Sequence, residues 1–163
     1  MGLDDVSFLP LNVGLREAIT ALQLTKPANS LVFGTENGKV YSVSGIPNTA
    51  NTTRIDNGQL PDGYISSIDV GSDPNHIMVT FSNFGIASVW ATSDGGNSWK
   101  NLERNLADMP VRWGRFDPAN NDRVLIATEI GIWGLESITD EATQWTDHND
   151  GLPPMRVDMF DLR

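Results

Sequence analysis

The feature of this 163-residue sequence that most limits its fold is an internal repeat. Three segments, at residues 22–41, 68–90 and 114–133, share an apolar strand, a turn with proline and asparagine, a second apolar strand, a glycine and an aromatic residue. Two markers, the turn proline and the aromatic residue, each recur after about 40 to 50 residues. These markers are Pro27, Pro74, Pro118, Tyr41, Trp90 and Trp133. A common period in both markers indicates a repeat architecture.

The length and strand content of the repeat favour one particular unit. A proline-containing linker precedes each strand-rich stretch, at 58–61, 106–110 and 151–154. Short strands recurring at this period are typical of the four-stranded blade of a β-propeller. We therefore predict an all-β chain, a β-propeller fragment of about three four-stranded blades. The approximate repeats are 14–60, 61–108 and 109–155, and 156–163 opens a further blade.

Helical patterns are weak in this sequence. Residues 15–24 and 136–143 can each be interpreted as a short amphipathic helix. In the first of these, Ile19 and Ala21 alternate with Thr20 and Leu22, which favours a strand where the repeat requires one. We expect almost no helix in the chain.

Charge and composition exclude several classes of function. The formal net charge is −10, from 21 acidic and 11 scattered basic residues, which disfavours binding to nucleic acid or to an anionic membrane surface. Apolar runs fall short of the roughly 20 residues that cross a bilayer, so we expect no membrane insertion. The absence of cysteine excludes disulfides and thiolate metal sites. No signal peptide is visible at the start of the sequence.

The best local motif is the run Thr92-Ser93-Asp94-Gly95-Gly96-Asn97-Ser98-Trp99. Asp94 can accept N–H bonds from its own turn, the glycines allow positive φ, and the tryptophan supplies buried surface. The run resembles the Asp-box, or BNR repeat, whose pattern is Ser/Thr-x-Asp-x-Gly-x-Thr/Ser-Trp. The matching positions are Thr92, Asp94, Gly96, Ser98 and Trp99. The third repeat keeps only Trp145, and the first keeps neither the aspartate nor the tryptophan.

This resemblance covers most of the chain and extends to sortilin-type receptors, glycoside hydrolase family 74 xyloglucanases, photosystem assembly propellers and large secreted bacterial proteins with Asp-box repeats. It implies a non-catalytic propeller module of a secreted or cell-surface protein that binds protein or glycan partners through its loops. In such proteins the Asp-box is structural, so Asp94 and Trp99 are expected to affect stability rather than activity. An arc of about three blades is expected to pair with the remainder of a longer propeller or with other copies of itself.

The alternative function is a segment of a glycoside hydrolase, xyloglucanase-like or sialidase-like, with catalytic carboxylates partly outside this chain. Its candidate carboxylates here are Asp69, Asp117 and Glu129, although the aspartate beside Pro118 is also a turn former. A sialidase would need an arginine cluster, for which Arg112, Arg115 and Arg123 are the candidates. We assign no catalytic residue within the chain.

Cofactor and metal sites are expected to be absent. His76 and His148 each lack a second histidine at ligand spacing. The oxygen-rich run 117–122 is the one calcium candidate, but the repeat turn explains it equally well. The tryptophans, apart from Trp113, occupy repeat positions that favour core packing over stacking on sugars. Asn51 opens a glycosylation sequon.

Overall fold

The computed structural model describes residues 15–25, 29–46, 50–151 and 153–162. These residues contain twelve strands and no helix. The strands form three four-stranded antiparallel sheets, and each sheet is built from four strands that are consecutive in the chain. The predicted all-β architecture of three four-stranded blades is confirmed.

We call the three sheets blades 1, 2 and 3. Blade 1 contains β1 (Ile19–Leu24), β2 (Ser30–Thr35), β3 (Val40–Ser44) and β4 (Asn51–Arg54). Blade 2 contains β5 (Ile65–Val70), β6 (Ile77–Phe81), β7 (Val89–Thr92) and β8 (Lys100–Asn101). Blade 3 contains β9 (Val111–Asp117), β10 (Asn120–Thr128), β11 (Gly131–Leu135) and β12 (Thr146–Asp147).

The first strands of the blades lie side by side, since β1 contacts β5 and β5 contacts β9. Two apolar clusters fill the spaces between consecutive blades. The first cluster joins blades 1 and 2 around Val32, Ile65 and Phe81, and the second joins blades 2 and 3 around Met78 and Leu135. Each sheet therefore buries its apolar face on the next sheet rather than on another part of itself.

The residues of β6 show why a strand forms in the middle of this stack. All five residues of β6 are buried, and they are apolar or β-branched. Side chains alternate between the two faces of a strand, so continuous burial requires that both faces be covered. Blades 1 and 3 provide that cover.

The repeat markers occupy equivalent places in the sheets. Asp73 accepts a hydrogen bond from the N–H of Asn75 at 3.0 Å in the β5–β6 turn, and Asp117 accepts one from the N–H of Ala119 at 2.8 Å in the β9–β10 turn. Pro27 lies outside the described residues. The three aromatic markers lie on third strands, opposite Phe33, Val79 and Ile126.

Two segments have less regular structure than the rest. Residues 136–143 form bends and turns between β11 and β12, so the helix considered for this stretch does not form. The segment predicted to open a further blade has no strand assignment over residues 153–162, although Val157 donates its N–H to the carbonyl of Thr128 at 3.0 Å. No helix of the described residues is long and apolar enough to cross a membrane.

The contact between blades 1 and 2 depends on a position without a side chain. A Cβ on Gly34 would lie 2.7 Å from Cγ2 of Ile65 and 3.0 Å from Cδ1 of Ile68. We expect Gly34→Ala to destabilise the chain by about 1–3 kcal/mol, because both neighbours are branched side chains in a packed core. Chemical denaturation measures the free energy of unfolding of the variant. The control is Ser44→Ala, at an exposed position of the same blade. An unchanged unfolding midpoint for Gly34→Ala would contradict the packing described here.

Candidate functional site

The turn that joins β7 to β8 contains the Asp-box-like motif. Asp94 accepts hydrogen bonds from the N–H of Ser98 at 2.9 Å and from its hydroxyl at 2.6 Å. Thr92 donates its hydroxyl to Asp94 at 2.7 Å and accepts the N–H groups of Asp94 and Gly96. Gly95 and Gly96 have φ values of 73° and 94°, which side chains rarely adopt. The motif residues thus satisfy one another's polar groups within one turn.

The same hydrogen bonds determine the charge of Asp94. Bonds from the Ser98 hydroxyl, the Ser98 N–H and the Thr92 hydroxyl lower the pKa of Asp94 from 3.8 to about 2. The carboxylate is therefore ionised at neutral pH, and it accepts hydrogen bonds from Thr92 and Ser98 of its own turn. This arrangement suits a structural element rather than an acid catalyst.

Trp99 connects this turn to the preceding blade. Its side chain is buried, and its indole N–H donates to the carbonyl of Ile55 at 2.9 Å. Gln59 accepts the backbone N–H of Trp99 at 3.1 Å and donates its own amide to the carbonyl of Asn97 at 3.1 Å. We call this set of bonds the indole contact between blades 1 and 2.

An equivalent indole contact joins blades 2 and 3. The indole N–H of Trp145 donates to the carbonyl of Leu102 at 2.7 Å. Asn105 accepts the backbone N–H of Trp145 at 2.8 Å and donates to its carbonyl at 3.1 Å. Arg104 donates to the carbonyls of Thr143 and Ile138 in the same loop. Blade 3 therefore keeps the tryptophan contact although its turn lacks the aspartate–glycine pattern.

A second repeated position follows the fourth strand of each blade, and sequence reasoning missed it. The side chains of Asp56, Glu103 and Asn149 accept the N–H groups of Val40, Ser88 and Ile132 at 3.1, 2.6 and 2.9 Å. Each donor lies within one residue of the start of the third strand of its blade. Three positive-φ residues follow the acceptors directly: Asn57, Arg104 and Asp150. The signal in the sequence was a polar acceptor recurring at the repeat period, but it changes from carboxylate to amide between blades.

The two carboxylates at this position have opposite pKa shifts. Burial acts to raise the pKa of Asp56, but hydrogen bonds from Arg54 and from the N–H groups of Gly58 and Val40 bring it below its usual value. Burial and the nearby charge of Asp108 raise the pKa of Glu103. Arg54 contributes to the difference, because no arginine among the described residues pairs with Glu103.

Each candidate catalytic carboxylate is engaged by a different arginine. Asp69 also accepts the N–H of Phe116 at 2.8 Å, and Asp117 holds its own turn. Charge-assisted bonds of this kind are typical of structural ion pairs. The arginines proposed as a cluster are likewise divided among separate partners. The pairs are Asp69–Arg115, Asp117–Arg123 and Glu129–Arg112.

An open cavity of about 400 Å³ lies beside the ends of the first strands. Arg115 spans part of it, with one nitrogen 2.9 Å from Asp69 and another 3.0 Å from Asp161. Gln23, Ser72 and Asp117 complete the polar part of the lining. Arg115, the single cation of this lining, is already paired with Asp69 and Asp161. These charged groups therefore serve to join neighbouring strands.

The metal candidates are also engaged by protein groups. His76 lies 3.3 Å from Asp73 and edge-on to Phe116, and His148 lies 3.3 Å from the hydroxyl of Thr146. In the run proposed for calcium, oxygen atoms accept backbone N–H groups of Ala119, Asp122, Thr139 and Ser72. The described residues contain no group of three metal-ligating side chains that could hold an ion.

Of the tryptophans weighed for sugar binding, Trp99 and Trp145 are buried in the indole contacts. Trp90 and Trp133 pack against the two apolar clusters. Trp113 is half-buried, and the guanidinium of Arg115 lies 5.9 Å from its ring centre. A stacking platform for a sugar would need an exposed ring face, and Arg115 lies over one face of this ring.

Exposed apolar side chains mark a different surface. Antiparallel strands alternate in direction, so the connections β2–β3, β4–β5, β6–β7, β8–β9 and β10–β11 emerge at one end of the sheets. We call this end the loop face. It carries Tyr64, Phe84 and Ile130, which are 46%, 69% and 41% exposed. The other exposed large hydrophobic side chains of the described residues lie on β1 and in the segment 155–162.

The loops that carry these side chains are held in place by polar contacts. Asn83 accepts the N–H of Tyr64 at 2.6 Å, and the carbonyl of Tyr64 accepts the N–H of Ser82 at 3.2 Å. Asp108 of the β8–β9 connection accepts the N–H of Gly85 at 2.7 Å. Two aromatic rings are therefore displayed to solvent on two neighbouring loops that hydrogen bonds join. Sequence reasoning missed them because Tyr64 and Phe84 lie outside the repeat markers.

Comparison with known proteins places this geometry in a fold class. No family model matches the sequence. Among curated proteins it is similar to the protein transport protein sec31 of Aspergillus terreus, with 31% identity over 127 residues. That alignment covers 74% of this chain and 10% of the relative.

Solved structures with a similar fold include those of three different proteins. A GH74 enzyme of Niastella koreensis has a TM-score of 0.60 at 24% identity, over 79% of this chain and 23% of that one. The Cps50 (Swd1) β-propeller domain of Myceliophteria thermophila has a TM-score of 0.59 at 14% identity, over 78% and 38%. A chain of the nidogen/laminin complex has a TM-score of 0.62 at 13% identity, over 85% and 51%.

The similarity to these solved structures is one of fold. The chain is a β-propeller module of three blades, and it spans about a tenth of the curated relative and between 23% and 51% of the three solved chains.

The pKa of Asp94 gives a test of its structural role. Because its pKa is lowered from 3.8 to about 2 in the folded chain, its ionised form stabilises the fold above its ordinary pKa. This stabilisation is lost as the pH falls from 3.8 towards 2. We expect the melting temperature of Asp94→Asn to lie below that of the wild type at neutral pH, and the difference to shrink across this range.

The control is Asp62→Asn, at an exposed carboxylate with no hydrogen bond within the described part of the chain. This variant should melt close to the wild type at neutral pH. A melting difference for Asp94→Asn that is equal at neutral and acid pH would show that the ionised carboxylate does not hold the turn.

Proposed function

We propose that this module is a non-catalytic binding domain that recognises a protein partner through its loop face. The observation that carries this proposal is the exposure of Tyr64 on the β4–β5 connection and of Phe84 on the β6–β7 connection, where Asn83 and Asp108 hold the backbone in place. Rigid, exposed aromatic side chains supply large contact area at low entropic cost, which is why they dominate binding energies at protein interfaces.

The chemistry of this surface favours a protein over a glycan. Sugar recognition combines an aromatic ring with nearby hydrogen-bonding groups. On the loop face, Asn83 and Asp108 already bind backbone N–H groups, and the third exposed side chain is the aliphatic Ile130. An apolar group of this kind suits the hydrophobic centre of a protein interface.

The division of the carboxylates and arginines into structural pairs supports a non-catalytic module over the glycoside hydrolase alternative. The turn 92–99 supports membership of the Asp-box group, because its side chains make the bonds that such a turn requires. Resemblance to secreted Asp-box proteins supports an extracellular or cell-surface location, which stays a prediction.

Alanine substitution at Phe84 tests the proposal. The wild-type chain, Phe84→Ala and the control Ser93→Ala, which is exposed at the opposite end of the sheets, are used to isolate partners from the source organism. A partner purified in this way is then titrated against all three by calorimetry. We expect Phe84→Ala to weaken its Kd by about tenfold or more, with Ser93→Ala unchanged.

Three results would overturn the proposal. The first is a partner whose Kd is equal for the wild type and Phe84→Ala. The second is hydrolysis of xyloglucan by the purified chain at a rate that Asp69→Asn abolishes, which would establish the hydrolase alternative. Retention of glycans rather than protein by the loop face would also contradict the protein partner.

A further inference from the structure

The connections of the loop face touch one another in a continuous row. A Cβ on Gly38, in the β2–β3 turn, would lie 3.2 Å from the backbone nitrogen of Gly63 in the β4–β5 connection. A Cβ on Gly63 would in turn lie 3.0 Å from the side-chain oxygen of Asn83 in the β6–β7 connection. Asp108 of the β8–β9 connection then accepts the N–H of Gly85 at 2.7 Å. Four loops from three blades thus form one surface.

Exposed carboxylates lie on both sides of the two aromatic rings in this row. In the order of these contacts, Glu36 and Asp62 come before the rings of Tyr64 and Phe84, and Asp108 comes after them. All five side chains are exposed. The row therefore has an aromatic centre with carboxylates on each side. A protein interface is built in this way, with an apolar centre and a polar rim.

Negative charge exceeds positive charge on the loop face. Its five connections contain six carboxylates and two cations, and the segment before β1 adds one of each, Glu17 and Arg16. Both cations of the connections are already engaged. Lys39 lies 2.6 Å from Glu17, and Arg104 donates to two backbone carbonyls of the β11–β12 connection. The carboxylates of the connections are Glu36, Asp56, Asp62, Glu103, Asp108 and Glu129.

The three exposed carboxylates of the row have no cation beside them. No ion pair of the described residues includes Glu36, Asp62 or Asp108, whereas Asp56 and Glu129 each pair with an arginine. Nor do they form a metal site, because the described part of the chain has no group of three metal-ligating side chains. A cation that pairs with them therefore comes from a partner.

We propose that the protein partner binds the loop face through a basic segment, which carries lysine or arginine. These cations lie beside the three exposed carboxylates, and their alkyl chains pack on the rings of Tyr64 and Phe84. The proposal rests on the function proposed above and adds the chemistry of the partner's binding segment.

Charge favours a basic segment over an apolar or an acidic one. A partner that covered the rings with apolar groups alone would remove carboxylates from water without a counterion, which costs free energy. Lysine and arginine avoid this cost, because their alkyl chains pack on apolar groups while their charged ends pair with carboxylates. A cation within about 6 Å of an aromatic ring centre is also attracted to the ring. An acidic segment would meet like charges on both sides of the rings.

Peptides of opposite charge test the sign of the partner segment. The first probe is a short fluorescent peptide that alternates lysine with leucine, and the second is the matched peptide with glutamate in place of lysine. Fluorescence anisotropy measures the binding of each peptide to the full chain. We expect the lysine peptide to bind at low salt and to bind more weakly as added salt screens the charges. The glutamate peptide should not bind.

Two double variants separate the loop face from the net charge of −10. Asp62→Asn/Asp108→Asn removes two carboxylates of the row, and asparagine keeps an oxygen that accepts the N–H of Gly85. Glu136→Gln/Glu141→Gln removes the same charge at exposed positions of the β11–β12 connection, at the opposite end of the sheets. We expect the first pair to raise the Kd of the lysine peptide about threefold to tenfold. The second pair should change the Kd by less than about twofold, and circular dichroism establishes that both variants are folded.

The basic segment is overturned if the two double variants raise the Kd equally, since net charge alone would then explain the binding. Failure of the lysine peptide to bind, or binding no tighter than that of the glutamate peptide, would also overturn it. The partner purified with the wild-type chain separates this proposal from the loop face itself. If Phe84→Ala weakens that partner's binding and Asp62→Asn/Asp108→Asn does not, the loop-face interface stands and the basic segment is rejected. If neither variant weakens it, both proposals are rejected.

Discussion

Burial of one sheet against the next is the interaction on which the rest of this structure depends. A four-stranded sheet has two faces, and these sheets carry apolar residues on both, as the fully buried β6 shows. No helix among the described residues covers them, so the neighbouring sheet must do so. Stability in such an architecture is the sum of each blade and its contacts with its neighbours.

The indole contacts fix how consecutive blades are aligned. A buried indole N–H needs an acceptor, and Trp99 and Trp145 find it in the carbonyl of the residue that follows the fourth strand of the preceding blade. The Asp94 turn delivers one of these tryptophans, while a different turn around Asp140 delivers the other. The tryptophan contact is thus retained where the turn sequence is not, which explains why the motif can decay without loss of the blade.

The sequence contained enough to predict the sheets, because strand alternation and the spacing of the aromatic and proline markers follow from local chemistry that every blade repeats. The acceptors Asp56, Glu103 and Asn149 could not be recognised, since several residue types can accept an N–H bond. Tyr64 and Phe84 lie outside the repeat, so no pattern pointed to their exposure. Ion pairs such as Asp69 with Arg115 join different blades, and their partners emerge only from the three-dimensional register.

Native-state hydrogen exchange resolved by strand tests most directly whether burial between blades stabilises the chain. Blade 2 has a covered sheet face on both sides, whereas blade 1 exposes Leu22 and Leu24 on its outer face. Amides of β6 should therefore exchange more slowly than those of β2 and β10 as denaturant is added below the unfolding transition. Exchange from β6 that is as fast as exchange from β2 and β10 would contradict a stability built from contacts between neighbouring blades.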